Sequence, residues 1–159
     1  MKEIKLTRGL FVMVDDEDYE YLNQWNWYTN KSRNTYYAAR YATKNGKEIV
    51  KLLHREILNT PDNLFVDHID HNGLNCQKYN IRNCTRSQNA MNRIPWGKSK
   101  YLGVSVEAMG RHIGRIKAQV RINKKVTCLG YFKTEELAAL AYNEAAKKHY
   151  GEFANLNII

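Results

Sequence analysis

Apolar residues in the first half of the chain fall in short runs that suit strands better than long helices. Glu3-Ile4-Lys5-Leu6 and Leu10-Phe11-Val12-Met13-Val14 are two of them. Asp15-Asp16-Glu17-Asp18 follows and suits a helix start, where carboxylates meet the positive end of the helix dipole. That role accounts for the acidic cluster without a metal site. Trp25, Trp27, Tyr28, Tyr36, Tyr37 and Tyr41 are β-prone aromatics in strand-like surroundings. Asn45-Gly46, between Tyr41-Ala42-Thr43 and Ile49-Val50, predicts a hairpin turn. The strand after it is expected to run through Leu52-Leu53-His54-Arg55 toward Ile57-Leu58.

Around Pro95 and Gly97 the pattern breaks, which predicts a linker over residues 95–100 between domains at 1–94 and 101–159. In Gly114-Arg115-Ile116-Lys117-Ala118-Gln119-Val120-Arg121-Ile122, strict alternation puts Arg115, Lys117, Gln119 and Arg121 on one strand face. Ile116, Ala118, Val120 and Ile122 take the other. Asn123-Lys124-Lys125 reads as a turn and Val126 to Gly130 as the returning strand. A helix is expected from Thr134, as N-cap, to about Tyr150, with Gly151 at its stop. Leu137, Ala138, Ala141, Tyr142, Ala145 and Ala146 form its apolar stripe. The fold class is therefore α+β, and the C-terminal part is a small sheet packed on one helix.

Composition narrows the choice. The 159 residues are 43% hydrophobic and 26% charged, as expected of a chain with a core. The longest apolar run, Leu137 to Tyr142, is far too short to span a bilayer, and Leu10 to Val14 is too short for a signal-peptide core. No membrane partner is expected, and the expected setting is the cytoplasm of a bacterial or phage-infected cell. Three cysteines without a C-x-x-C pair argue against a disulfide framework. Cys76 and Cys84 are too widely spaced for a zinc knuckle and show no partners in sequence, so no zinc is expected. The net charge of +9 suggests a polyanionic partner. Residues 1–99 carry a net +4, and residues 100–159 a net +5 on far fewer positions.

Asp, His and Asn crowd into a Gly-containing segment, Val66-Asp67-His68-Ile69-Asp70-His71-Asn72-Gly73-Leu74-Asn75. Phosphodiester hydrolysis needs an activated water, which a neutral imidazole can supply near pH 7, and stabilisation of charge on the phosphate. A hard divalent ion held by carboxylate and amide oxygens provides the latter. Taken in order, Leu53-His54-Arg55, Val66-Asp67-His68-Ile69-Asp70, Asn80-Ile81-Arg82 and Ser87-Gln88-Asn89 resemble the HNH endonuclease family, in particular its phage and homing-type branch.

The resemblance implies an N-terminal nuclease domain of ββα-metal type, with a β-hairpin and a helix around one Mg²⁺ (or Mn²⁺). It implies His68 as general base, Asp67 and Asn89 as metal ligands, Asn80 pinning the loop between the strands, and 5′-phosphate and 3′-hydroxyl products. Asn89 is expected on a short helix capped by Thr85 or Ser87, and Asn92 is its competitor as second ligand. His71 stands where the family pattern carries Gly. For His54, packing beside the site and touching the DNA backbone are both open.

A second resemblance covers residues 99–157. Gly103-Val104, Lys117-Ala118-Gln119, Leu129-Gly130-Tyr131-Phe132, Ala138-Ala139-Leu140-Ala141-Tyr142 and Gly151-Glu152-Phe153-Ala154-Asn155-Leu156-Asn157 resemble the APETALA-type DNA-binding domain of ethylene-response factors. Ile116 departs from it, standing where that family carries Trp. A basic, hydrogen-bonding ribbon can enter a DNA major groove. The DNA-facing set is then Arg111, Arg115, Lys117, Gln119, Arg121 and Lys125, with Arg55 and Arg93 added from the first domain.

The combined expectation is a metal-dependent endonuclease of double-stranded DNA. One motif would nick a single strand, and a homodimer on DNA would cut both. The competing class is a sequence-specific DNA-binding protein without nuclease activity.

Overall fold

In the computed structural model, residues 1–32, 34–95 and 97–159 are described; Arg33, and Trp96 within the expected linker, lie outside the described residues. The chain divides into two units, Met1–Asn89 and Ala90–Ile159, so the division falls ahead of the linker expected at 95–100.

In the first unit, β1 (Lys2–Lys5) and β2 (Phe11–Val14) pair antiparallel, and α1 (Asp16–Leu22) follows. Next come β3 (Tyr28–Lys31), β4 (Tyr36–Lys44) and β5 (Lys47–Leu52), an antiparallel sheet in that order. Asn45 and Gly46 make the β4–β5 turn with φ of 52° and 73°, the left-handed pair that a two-residue hairpin loop requires. The core gathers Ile4, Leu6, Val12, Val14, Leu22, Trp27, Ala38, Leu53 and Cys76.

The strand expected to continue through Leu53 and Arg55 ends instead at Leu52, and Leu53–Ile57 form a helix, α2. Burial explains the change. Leu53 is fully buried in the core and Ile57 packs against the same cluster. Four apart, these two residues lie about 6 Å from each other on one face of a helix, whereas a strand would set them about 13 Å apart. Burying a side chain of this size contributes about 1.5–3 kcal/mol, enough to override the β pattern upstream.

β6 (Phe65–His68) and β7 (Ile81–Cys84) form an antiparallel pair joined by the loop 69–80, and α3 (Arg86–Asn89) packs against both strands. Thr85 and Gln88 cap α3 reciprocally: Thr85 N and Oγ1 donate to Gln88 Oε1 at 2.8 and 2.9 Å, and Gln88 N donates to Thr85 Oγ1 at 3.3 Å. Thr85 is therefore the cap, not Ser87.

In the second unit, β8 (Val104–Val106), β9 (Ile116–Ile122) and β10 (Lys125–Phe132) form an antiparallel sheet with β9 central, and α4 (Glu135–Tyr150) packs on it. The β9–β10 turn is tighter than expected, Asn123-Lys124 alone, and Lys125 already pairs with Ile122. Thr134 Oγ1 accepts from Leu137 N at 3.3 Å, and Gly151 ends the helix at φ 56°. The buried face of α4 is Ala138, Ala139, Tyr142, Ala146 and Tyr150. Leu137, expected in the apolar stripe, is 47% exposed. At about 100° per residue Leu137 falls on the side of the helix opposite the buried Ala138, Ala139, Tyr142 and Ala146.

β8 is too short to cover all of β9, and Tyr150 closes the gap by donating to Arg121 O at 2.8 Å and accepting from Arg121 N at 3.1 Å. Among the described residues, no helix is long and apolar enough to cross a membrane.

Candidate functional site

Asp67 and His68 end β6, and Asn80 immediately precedes β7, so the hairpin brings all three to one end of the pair. Both Asp67 and His68 are buried, at 3% and 7% exposure. The cross-strand partner of Asp67 is Arg82, whose Nε and Nη2 lie 2.9 and 2.8 Å from Asp67 Oδ2. This charge-assisted grip fixes the carboxylate. Asn89 ends α3, half-buried, and its N–H bonds to Thr85 O at 3.0 Å. Asp67, His68, Asn80 and Asn89 thus share one strand–strand–helix element. Asn92 belongs to the second unit.

Asn80 is 2% exposed and holds the loop from inside. Its Nδ2 donates to Asp70 Oδ1 and Asn75 O, both at 2.8 Å, and its Oδ1 accepts from Asp70 N at 3.0 Å. Asp70 also takes Asn72 N and Asn75 Nδ2 at 2.8 Å each. Burial alone would raise the Asp70 pKa; these hydrogen bonds outweigh it and hold the carboxyl below its ordinary value.

The loop is also tied to the rest of the unit. Met13 N donates to Leu74 O at 2.8 Å and Cys76 N to Met13 O at 2.9 Å. Gly73 passes so close to Tyr36 and Tyr37 that a Cβ there would lie 2.5 Å from Tyr36 O. His71 adopts φ 64°, which explains why Gly suits that position in the family pattern.

The Asp15 side chain makes no helix-cap hydrogen bond. Its carboxylate instead accepts from Lys78 N at 2.8 Å and Gln77 Nε2 at 3.1 Å, anchoring the far end of the loop. Lys78 meets Glu17 and Asp18. The acidic cluster is therefore a loop anchor as well as a helix start.

His54 is buried against Tyr37 and His68, with ring centroids 5.2 and 5.0 Å away, so it packs beside the site. Burial pushes the His54 pKa down to about 3, with the charges of His68 and Arg55 adding to it. Burial likewise takes His68 down to about 4, against the opposing pull of Asp70 and Asp67. Both imidazoles are neutral at pH 7, as a general base must be.

Cys76 was the residue that sequence spacing missed. The expectation that it has no histidine partners is corrected: its Sγ lies 3.9 Å from His68 Nε2, and His54 completes a buried trio. Burial holds its thiol protonated.

Arg55, expected to face DNA, is engaged with the protein's own backbone. Its Nη1 donates to Leu64 O at 2.9 Å, and its Nη2 to Pro61 O at 2.8 Å and Thr60 O at 3.3 Å. Its position early in α2 lets it clasp the turn that follows. Arg93 is exposed, with Nε 2.7 Å from Ala90 O.

In the second unit, Lys117, Gln119 and Arg121 alternate with buried Ala118 and Val120, and exposed Arg115 precedes the strand. Arg111 and Lys125 are also exposed. Lys117 Nζ is 3.4 Å from Glu107 Oε2, so its charge is partly answered within the sheet. Ile116 packs against the Tyr101, Val104, Ala118 and Ala138 cluster.

No family model matches this chain. No solved structure matches it either. An uncharacterized HNH endonuclease of Acanthamoeba polyphaga mimivirus is 32% identical over 159 residues, which cover 96% of this chain and 77% of that protein. The match spans nearly the whole chain. The chain belongs to the HNH endonuclease family.

Proposed function

We propose that the protein is a metal-dependent DNA endonuclease whose first unit cuts and whose second unit binds duplex DNA. The observation that carries this reading is the β6–β7–α3 element, which carries Asp67 and His68 on a strand, Asn89 on a helix and Asn80 in a loop pinned from within. The donor set fits a hard cation: a carboxylate oriented by Arg82 at Oδ2, and an amide on the helix packed against the same strands. When bound there, Mg²⁺ or Mn²⁺ supplies Lewis acidity toward the scissile phosphate.

The chain's own residues do the remaining work. Neutral His68 accepts the proton of the attacking water. Asp67 and Asn89 would hold the ion, and Arg82 keeps the Asp67 carboxylate in place. Asn80 is a positioning residue, because its side chain bonds to Asp70 and Asn75 in the loop that follows His68. The products carry 5′-phosphate and 3′-hydroxyl ends.

The second unit follows the APETALA-type pattern, with Arg115, Gln119 and Arg121 reading or gripping DNA from an outward strand face, joined by Arg111, Lys117 and Lys125. Arg side chains reach base edges and phosphates, whereas Lys positions the protein on phosphates. A single site nicks one strand, and a homodimer on DNA cuts both.

Supercoiled plasmid with Mg²⁺ tests the reading. Wild type nicks it, and Asp67→Ala binds DNA without nicking. Arg121→Ala binds more weakly and still nicks at high DNA concentration. A chain that binds duplex DNA and cuts under no divalent metal is the alternative, a sequence-specific DNA-binding protein without nuclease activity.

A further inference from the structure

Three side chains that the proposed hydrolysis does not all use meet inside the first unit. One ligand atom each of His54, His68 and Cys76 lies within 4.8 Å of the other two, and all three residues are buried. They come from three successive pieces of the chain, α2, β6 and the loop 69–80. Their placement is fixed in advance: Leu53 roots α2 in the core, and Cys76 N is bonded to Met13 O. His54 Nδ1 is buried with no hydrogen-bond partner among the described residues. A buried, unpartnered ring nitrogen is costly, and here it stands beside a thiol and a second imidazole.

We propose that His54, His68 and Cys76 form a zinc-binding site that, when filled, takes His68 away from phosphodiester chemistry. Two nitrogens and a sulfur select a borderline-soft ion and not Mg²⁺, whose ligands are oxygens. The spacing also fits. Zinc–sulfur and zinc–nitrogen distances of about 2.3 and 2.0 Å at a tetrahedral angle set sulfur and nitrogen about 3.5 Å apart. The observed Sγ to Nε2 distance is 3.9 Å and all three ligand atoms lie within 4.8 Å, so closure needs a few tenths of an ångström between Cys76 and His68 and a movement of about an ångström to bring in His54.

Coordination releases the Cys76 thiol proton to solvent, and the neutral histidines lose none. The remaining positive charge sits near the carboxylates of Asp67 and Asp70, whose fields already act on His68. A fourth position is left for water. The site is separate from Asp67 and Asn89, but it competes for the base. Binding needs no assumption about activity, whereas the inhibitory consequence rests on the nuclease reading.

Chelator-treated full-length protein titrated with Co²⁺, a spectroscopic stand-in for Zn²⁺, should bind one ion with thiolate-to-cobalt charge-transfer absorption, and Zn²⁺ should displace it. Absence of that absorption overturns the site. The Cys84→Ser/Cys128→Ser double variant should keep the band and Cys76→Ser should lose it; the opposite pattern places the thiolate elsewhere and overturns the assignment. X-ray absorption of zinc-loaded wild type guards against a variant that fails to fold: a shell with one sulfur and nitrogen neighbours supports the site, and a shell of oxygen and nitrogen alone refutes it. Equimolar Zn²⁺ should suppress Mg²⁺-dependent nicking at least tenfold in wild type, and the residual nicking of Cys76→Ser should not respond. Equal suppression in both puts the inhibitory ion elsewhere and refutes the switch. If no nicking occurs under any metal, the nuclease reading fails while the cobalt spectrum still decides the site.

Discussion

Replacing Arg82 with Gln removes the guanidinium whose Nε and Nη2 approach Asp67 Oδ2 at 2.9 and 2.8 Å. The two side chains are 17% and 3% exposed, so solvent can do little for the carboxylate left behind. Breaking a buried pair from one side costs about 3–5 kcal/mol, because the surviving charge stays uncompensated. For a unit of this size, 3 kcal/mol lowers the melting temperature on the order of 10 °C. If Asp67 is a metal ligand, Mg²⁺ supplies the missing positive charge. A ligand at about 100 times its dissociation constant stabilises by about 2.7 kcal/mol, so millimolar Mg²⁺ should restore much of the loss.

The assay is thermal or urea unfolding with and without Mg²⁺ for wild type, Arg82→Gln, Asp67→Asn and the double variant. Arg82→Gln should be the least stable without metal and show the largest rise with it. The double variant, with no buried charge left at the pair, should recover much of the stability and lose the Mg²⁺ response. The reasoning is refuted if Asp67→Asn responds to Mg²⁺ as wild type does, or if Arg82→Gln costs less than about 1 kcal/mol.

Acid should destabilise the metal-free first unit through its two buried histidines. Their folded values of about 3 and 4 lie below the unfolded value near 6.5, so the stabilisation is complete above pH 6.5 and is lost as pH falls toward 4. The two together should cost about 2 kcal/mol between pH 6.5 and 5.5, read as a shift of the urea midpoint in chelator; a flat profile contradicts their burial. Asn80→Ala should destabilise by about 2–4 kcal/mol, since Asp70 N and Asn75 O lose their partner inside the loop; an unchanged midpoint would mean that the loop is held some other way. Gly103→Ala should disrupt the second unit, because a Cβ would lie 2.1 Å from the Tyr142 ring on a backbone at φ 70°; a separate melting transition that is unshifted contradicts this. Arg121→Ala should weaken DNA binding and reduce its salt slope by about one, measured by fluorescence anisotropy; an unchanged slope removes Arg121 from the interface.

Local signals in the sequence were strong where a residue type answers a backbone demand. Asn45-Gly46, Thr134 and Gly151 were each legible for that reason. The Asp67–His68 string was legible because its chemistry and spacing recur in a family. What sequence did not show depends on contacts between distant segments. The helix Leu53–Ile57 continues an apolar strand pattern and is decided by a core that only the folded chain assembles. Asp15 looks like an N-cap until Gln77 and Lys78 arrive at its carboxylate from the loop. Arg55 looks like a free cation until the turn behind α2 folds over it. Cys76 has no motif, and its histidines lie upstream in two other elements.

Single-turnover cleavage of supercoiled plasmid in Mg²⁺, run beside DNA-binding isotherms for wild type and His68→Ala, tests the central claim most directly. Loss of a general base typically costs a factor of about 10²–10⁴ in rate, so His68→Ala should bind DNA as wild type does and cut at least a hundredfold more slowly. A His68→Ala protein that cuts within a few-fold of the wild-type rate would contradict the assignment of His68 as the base.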